Sequence, residues 1–511
     1  MKICQECKAE FEVSEKEKGL LKKLSPNFGE LPEPKICPAC RNKIRLSFRN
    51  EKNLHLRHCE NCDKKMVSIY PPEMSQQVWC QKCWWSDQRK QMEGEQDFDF
   101  NKPFFEQWEE VFKNSKLLTL FGANNENSEF VNQETDDKNC YMNAGGHYNE
   151  DCYYNTYCIW GKNNVDNYWV TKSELLYQSI FCHNCFASSF LEYCENCSDC
   201  HYCRECKGSK NCFGSYGLSH KEYYFFNQPL SKEDYQEKIK AYLNSAEGRT
   251  KALKESREHF LKYPQKAAHI LNCIDSSGDN LANCKNANEC YLFENSEDIQ
   301  YSHIGMEVKD SMDISCVGWA ELIYNCASAG RISHAISTVS SMDTHFAYYS
   351  FLCFNSNNIF GCIGLNQKKY CILNKQYSEE EYKNLVTKIA AHMKKTGEWG
   401  QFFPSSLSPF QIKRESKSSE ENQQNNNSPI CNKCGKNYRI ITEETKFYKK
   451  MNLPEPDNCP SCREVLRMRL ITPQKLWIRK CNQCDKEVKT SYSPERPEII
   501  FCNDCYLSKY Y

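Results

Sequence analysis

Sixteen of the 35 cysteines in this 511-residue chain fall into eight Cys-x-x-Cys knuckles, four near each end. They are Cys4/Cys7, Cys37/Cys40, Cys59/Cys62 and Cys80/Cys83, then Cys431/Cys434, Cys459/Cys462, Cys481/Cys484 and Cys502/Cys505. A knuckle sets two thiolates on one side of a tight turn, and two knuckles close a tetrahedral S4 shell around zinc. The spacing predicts about four Zn2+ per chain, held structurally because protein fills every coordination position. Lobes this small do not stay folded without the metal. The alternative, disulfides or buried apolar cysteines, suits a chain of this size poorly, because disulfides replace a missing core in small secreted domains.

The two ends are copies of one module. Residues 31–83 align with 453–505 without a gap at an offset of 422, with 20 identities in 53 positions. "LPEPKICPACR" faces "LPEPDNCPSCR" and "LHLRHC" faces "LWIRKC". The body is duplicated too: residues 206–239 and 353–386 align at an offset of 147 with 13 identities in 34.

Ahead of each of those repeats run short β-rich stretches separated by Asn, Asp, Ser or Gly. "ANECYLF", "SEDIQYS", "SMDISCV" and "AELIYNC" begin at 287, 296, 311 and 320, so alternate members lie 24 residues apart. Such a period is the signature of a solenoid whose turns stack to bury a continuous core. The expected fold is mixed and mainly β: tandem zinc ribbons at 1–90, a docking helix and connector at 91–134, a first β-solenoid copy at 135–228 and a helical segment at 229–269. A second β-solenoid copy follows at 270–376, then a helix and connector at 377–411, a flexible linker at 412–429 and tandem ribbons at 430–511. The linker frees the C-terminal ribbons to move. In the connector, Phe104, Phe105, Trp108, Val111 and Phe112 recur at helical spacing and predict an amphipathic helix that docks the ribbons on the body.

The run "CENCSDCHYCREC", Cys194 to Cys206, admits three readings: interior cysteines, a further zinc site, or an iron–sulfur cluster. As ligands the candidates are Cys182, Cys185, Cys194, Cys197, Cys200, Cys203 and His201. Against a cluster, the run lacks a following Cys-Pro, and the sister copy carries Ser341, Thr344, Ala347 and Ser350 opposite Cys194, Cys197, Cys200 and Cys203. Residues of similar size point to selection for volume. No phosphate-binding, dinucleotide, HExxH or GxSxG motif occurs.

Net charge is −1, unevenly spread: residues 1–90 and 431–511 each carry +6, leaving −13 for the middle. Arg41, Lys43, Arg45 and Arg49 follow the first ribbon, and Arg463, Arg467 and Arg469 follow its copy, beside Trp84 and Trp85 read as exposed. Basic charge beside stacking surfaces suits nucleic acid, a ribonucleoprotein or a protein partner. The N-terminus opens on a knuckle where a secretory signal needs an apolar stretch, and no run of about 18 apolar residues occurs. A soluble, reduced, cytoplasmic protein with no membrane association is expected. The reading is a non-enzymatic zinc-binding scaffold; the alternative is a metalloenzyme or redox protein with its site at 182–206. No catalytic or cofactor-binding residue is assigned.

Several stretches resemble uncharacterised zinc-ribbon proteins of candidate phyla radiation (Patescibacteria-type) bacteria: "LPEPDNCPSCREVLRMR", "LWIRKC", "TSYSPERPEIIFCNDCY", "DFDFNKPFFEQWEEVF" and "GEWGQFFPSSLSPF". The ribbon at Cys4/Cys7 and Cys37/Cys40 looks like the zinc-binding treble-clef or ribbon type. The resemblance implies zinc and architecture and supplies no reaction. That group continues past "SPF" with an ordered segment, where this chain has a polar linker.

Overall fold

A computed structural model describes residues 1–243, 245–410 and 428–510. The chain is mixed α/β with more strand than helix. Most of the segment read as a flexible linker, up to residue 427, lies outside the described residues.

The helices are α1 (Glu15–Leu24), α2 (Pro38–Ser47), α3 (Gln81–Trp84) and α4 (Phe104–Asn114), then α5 (Lys232–Leu243), α6 (Ala246–Phe260) and α7 (Glu379–Thr396), and finally α8 (Thr442–Lys450), α9 (Pro460–Met468) and α10 (Asn503–Tyr510).

The body winds in turns of twelve residues. Tyr168 pairs in parallel with Thr156 before it and Ile180 after it, and His345 pairs with Ser333 and Asn357. The 24-residue spacing seen in the sequence is therefore two turns. The parallel pairing begins at Gly122 with Glu134, ahead of residue 135. One turn is a residue short, where Ile270 pairs with Leu281.

Each full turn has four sides of three residues, because along it every third residue is left-handed: Tyr193, Asn196, Asp199, Tyr202 and Glu205 all have φ between 52° and 57°. A left-handed backbone costs an L-residue roughly 1–2 kcal/mol, and interturn hydrogen bonds offset it. Asn196 N donates to His183 O one turn back, and Glu195 N donates to Cys206 O one turn on, both at 3.0 Å.

The third residue of each side points inward, and its N–H needs another acceptor. Asparagine and serine side chains one turn earlier supply it: Asn155 N donates to Asn143 Oδ1, Asn167 N to Asn155 Oδ1 and Ser179 N to Asn167 Oδ1, at 2.8–2.9 Å. Four inward side chains meet across sides at most about 10 Å long, which admits mainly small residues. Where Phe293 points inward, Gly305 follows one turn on, and a Cβ there would lie 2.3 Å from the Phe293 ring.

The two pairs of end modules dock crosswise. The N-terminal module packs on the second coil block, with Trp84 against Phe354 and Arg89 Nη1 donating to Gly364 O at 2.7 Å. The C-terminal module packs on the first block, where Tyr216 and Tyr506 hydroxyls lie 3.3 Å apart, and on the segment that follows α6, where Gln265–Lys266 pairs with Ile500–Phe501. The C-terminal module is thus anchored, contrary to the mobility expected of it. Helix α4 packs on the second block: Trp108 Nε1 donates to Tyr349 O at 3.1 Å, and Glu398 caps the helix by accepting from Phe104 N and Phe105 N. Among the described residues no helix is long and apolar enough to cross a membrane.

Candidate metal centres and the arginine clamps

The sixteen knuckle cysteines gather into four groups: Cys4, Cys7, Cys37 and Cys40; Cys59, Cys62, Cys80 and Cys83; Cys431, Cys434, Cys459 and Cys462; Cys481, Cys484, Cys502 and Cys505. Within each group all four Sγ atoms lie within 4.8 Å of one another. Cys7–Cys37 and Cys484–Cys502 are separated by 3.8 Å, and Cys62–Cys80 and Cys434–Cys459 by 3.9 Å. A tetrahedron with metal–sulfur bonds of about 2.3 Å has an edge of about 3.8 Å. The thiols are free, and their spacing fits a tetrahedral ion.

The same local structure recurs four times. After the second cysteine a left-handed residue turns the chain, Lys8, Asp63, Gly435 or Asp485, and its N–H returns to the carbonyl of the first cysteine at 2.8–3.0 Å. The first Sγ accepts an N–H from the third cysteine at 3.3 Å in all four groups. The third cysteine also caps α2, α3 and α9, turning the positive helix end toward the thiolates. Burial opposes ionisation of the first cysteine, but these backbone donors prevail, bringing Cys4, Cys431 and Cys481 to about 6 and Cys59 to about 7. Burial and the neighbouring thiols push Cys80 and Cys462 up to about 12. A dication would remove that conflict by replacing the shared protons.

Next to each first group stands a buried ion-pair cluster. Arg41 Nε donates to Asp313 Oδ2 at 2.7 Å and Nη2 to Glu17 Oε1 at 3.2 Å, while Arg45 Nη1 reaches Asp313 Oδ1 at 2.9 Å. In the copy, Arg463 Nε donates to Asp166 Oδ2 at 2.6 Å and Nη2 to Glu444 Oε1 at 2.7 Å, while Arg467 Nη1 reaches Asp166 Oδ1 at 2.8 Å. The Arg41 guanidinium lies over Tyr301 and that of Arg463 over Tyr154, at 5.4 and 5.3 Å. Two guanidiniums face two carboxylates in each cluster, so the buried charge balances. The arginines are related by the offset of 422, and Asp166/Asp313 and Tyr154/Tyr301 by that of 147. Both duplications are locked together at this contact.

This corrects the surface expected at the ends. Arg41, Arg45, Arg463 and Arg467 are at most 3% exposed, the Arg49 side chain is equally enclosed, and Trp84 is buried. Of the predicted strip, Lys43, Arg469 and Trp85 face solvent. Asp166, Asp313, Glu17 and Glu444 were missed by sequence reasoning. The signal for the two aspartates was the repetition of Asp and Tyr at an offset of 147 outside the aligned stretch; Glu17 and Glu444, 427 residues apart, follow neither offset.

The cysteines from Cys182 to Cys206 point into the first coil block and are at most 2% exposed. Cys197 Sγ lies 3.4 Å from both Glu195 O and Cys206 O, and Cys200 Sγ lies 3.3 Å from Ser198 O and 3.4 Å from Ser209 O, so each thiol has carbonyls within reach of its one proton. Ser341, Thr344, Ala347 and Ser350 fill the matching inward positions of the second block, equally buried. His201 pairs with Ser189 Oγ at 2.8 Å rather than with the thiols. Among the described residues the groups that converge as a four-thiol site are those at the ends.

Fold and site together define a chain with four tetrahedral four-cysteine groups, carried on duplicated end modules and clamped to a duplicated coil. No protein-family model matches the chain, and no match was found among curated proteins.

Proposed function

We propose that the protein is a non-enzymatic scaffold in which four zinc ions fold zinc-ribbon or treble-clef-like modules, and these brace two β-solenoid blocks and present a surface to a protein partner. The observation that carries this reading is the duplicated arginine clamp, which makes one metal group at each end, Cys4 to Cys40 and Cys431 to Cys462, part of the joint between module and coil. Zinc suits an all-thiolate tetrahedral set with no open position. The resemblance to zinc-ribbon proteins of candidate phyla radiation bacteria agrees with it.

A protein partner is favoured over nucleic acid by the side chains left outside. Leu46 and Met468, related by the module duplication, are 41% and 44% exposed, and Leu56 and Ile478, related in the same way, 57% and 62%. Apolar residues kept exposed in both copies suit a protein surface. Titration of fluorescent single-stranded RNA at graded salt tests the choice. Negligible binding is expected; binding that weakens steeply with salt and is lost in a Lys43→Ala/Arg469→Ala variant would return the modules to nucleic acid.

A further inference from the structure

The two end modules differ on one side of the helix that carries the clamp arginines. In the N-terminal module residues 399–410 lie across that side. Trp399 Nε1 donates to Glu30 O at 2.9 Å, the Phe48 ring meets those of Phe402 and Phe403 at 5.3 and 5.6 Å, Ser408 Oγ donates to Ser47 O, and Phe410 stacks on Tyr70 at 5.5 Å. Phe48 is left 1% exposed and Ile44 half-buried.

At the offset of 422, Leu466 and Leu470 of the C-terminal module stand in the places of Ile44 and Phe48. They are 40% and 36% exposed, and Val465, in the place of Lys43, is 47% exposed. Leu46 and Met468 are exposed in both modules, so the difference is confined to the strip that residues 399–410 cover in one of them. Its far end is closed, because Arg496 lies over Tyr492, the counterpart of Tyr70, at 4.9 Å. Apolar side chains grouped on one exposed face mark a contact surface.

The covered copy says what kind of chain fits. Its occupant is irregular and aromatic, whereas residues 411–427 carry Ile412 as their only apolar side chain and no aromatic, a composition unsuited to the strip. Arg469 is exposed in the place of Ser47. A two-fold contact between α9 faces of two copies would bring two such guanidiniums into one apolar surface. A carboxylate carried where Ser408 sits in the covered copy would instead meet Arg469 in a charge-assisted hydrogen bond. We propose, resting on the protein-partner reading, that the strip of Leu466, Arg469 and Leu470 receives an extended segment of a partner protein that carries paired aromatic side chains followed by a carboxylate.

The test titrates full-length, zinc-loaded protein into two fluorescent peptides, residues 397–410 in their natural sequence and the same stretch with Ser408→Glu, and reads anisotropy. The N-terminal module offers these peptides no competing site, since the chain's own segment is held there at high effective concentration. Both should bind, the Ser408→Glu peptide more tightly. Leu466→Ser with Leu470→Ser should weaken both by about tenfold or more, and Arg469→Ser should abolish the difference between them. Leu46→Ser in the N-terminal module should leave both affinities unchanged. All the replaced side chains are exposed, and unchanged zinc content and melting temperature show that each variant folds. No binding of either peptide, equal binding of the two, or affinity that survives the double leucine replacement would overturn the proposal. A dimer seen in sedimentation and dissolved by that replacement would overturn it too, making a second copy the occupant. Failure of the peptides while single-stranded RNA stays unbound strikes this site and leaves the protein-partner reading standing.

Discussion

Arg463 reaches 297 residues back along the chain to bind Asp166, Nε to Oδ2, at 2.6 Å. Asp166 occupies a left-handed corner of the first coil block with φ 61°, a conformation that aspartate tolerates better than most residues. The contact therefore joins the backbone geometry of the coil to the helix that begins at a cysteine of the third group. The equivalent contact, Arg41 to Asp313, does the same at the other end.

The clamps should dominate the stability of the docked modules. Arg463→Ala leaves Asp166 and Glu444 buried with one fewer cation, and removal of one partner from a buried pair costs about 3–5 kcal/mol. Denaturant unfolding should show that loss for Arg463→Ala and for Arg41→Ala. A double-mutant cycle of Arg463 with Asp166 should return a coupling of opposite sign to the single losses, since the pair removed together leaves less unpaired charge.

Metal removal should act first on the ends. Cys37 and Cys459 cap the helices that carry the clamp arginines, so a chelator should expose residues 1–90 and 428–510 to rapid hydrogen exchange while the interturn amides around Cys197 and Ile359 stay protected. Uniform exchange across the chain would show that the coil depends on the metals as well.

The interior cysteines should behave as packing. Cys200→Ser puts into the first block the kind of residue that the second carries at its inward positions Ser341 and Ser350. It should change metal content not at all and stability by less than about 1.5 kcal/mol. Cys200→Leu overfills a fully enclosed site and should cost about 1–3 kcal/mol. A serine variant that loses a metal ion would revive a site in the coil.

His269 should give the stability a pH signature. Although burial opposes its charge, Glu205 at 2.6 Å and Asp279 at 3.1 Å hold its pKa above the ordinary value of 6.5. A histidine whose folded pKa is raised stabilises fully below its unfolded pKa and loses that contribution as pH rises through the folded one. The difference in melting temperature between the natural protein and His269→Gln should be largest below pH of about 6.5 and shrink above it. Glu205 and Asp279 are depressed, so their share is present above the ordinary carboxylate range and is lost as pH falls through their folded values.

The metal groups were legible because Cys-x-x-Cys is a local instruction: two ligands and the turn between them lie within five residues. Both duplications were legible as gapless offsets. The coil was harder. Its true period is three residues within twelve, and the corners are occupied by Trp160, Trp169, Leu175 and Phe181 as readily as by asparagine, so no turn residue marks them. Asparagine reads locally as a turn former, yet Asn143, Asn155 and Asn167 lie inside, accepting N–H groups from the next turn. Arg41 and Arg463 show the same limit from the other side. Beside other basic residues they read as surface charge, and the aspartates that bury them lie in another block of the chain.

The metal content of the purified chain decides whether zinc holds the four groups. Elemental analysis should find about four zinc ions per chain and no iron, with zinc falling to about two when Cys37 and Cys459 are replaced together by serine. Iron in stoichiometric amount, or zinc unchanged by that double substitution, would contradict zinc in these groups.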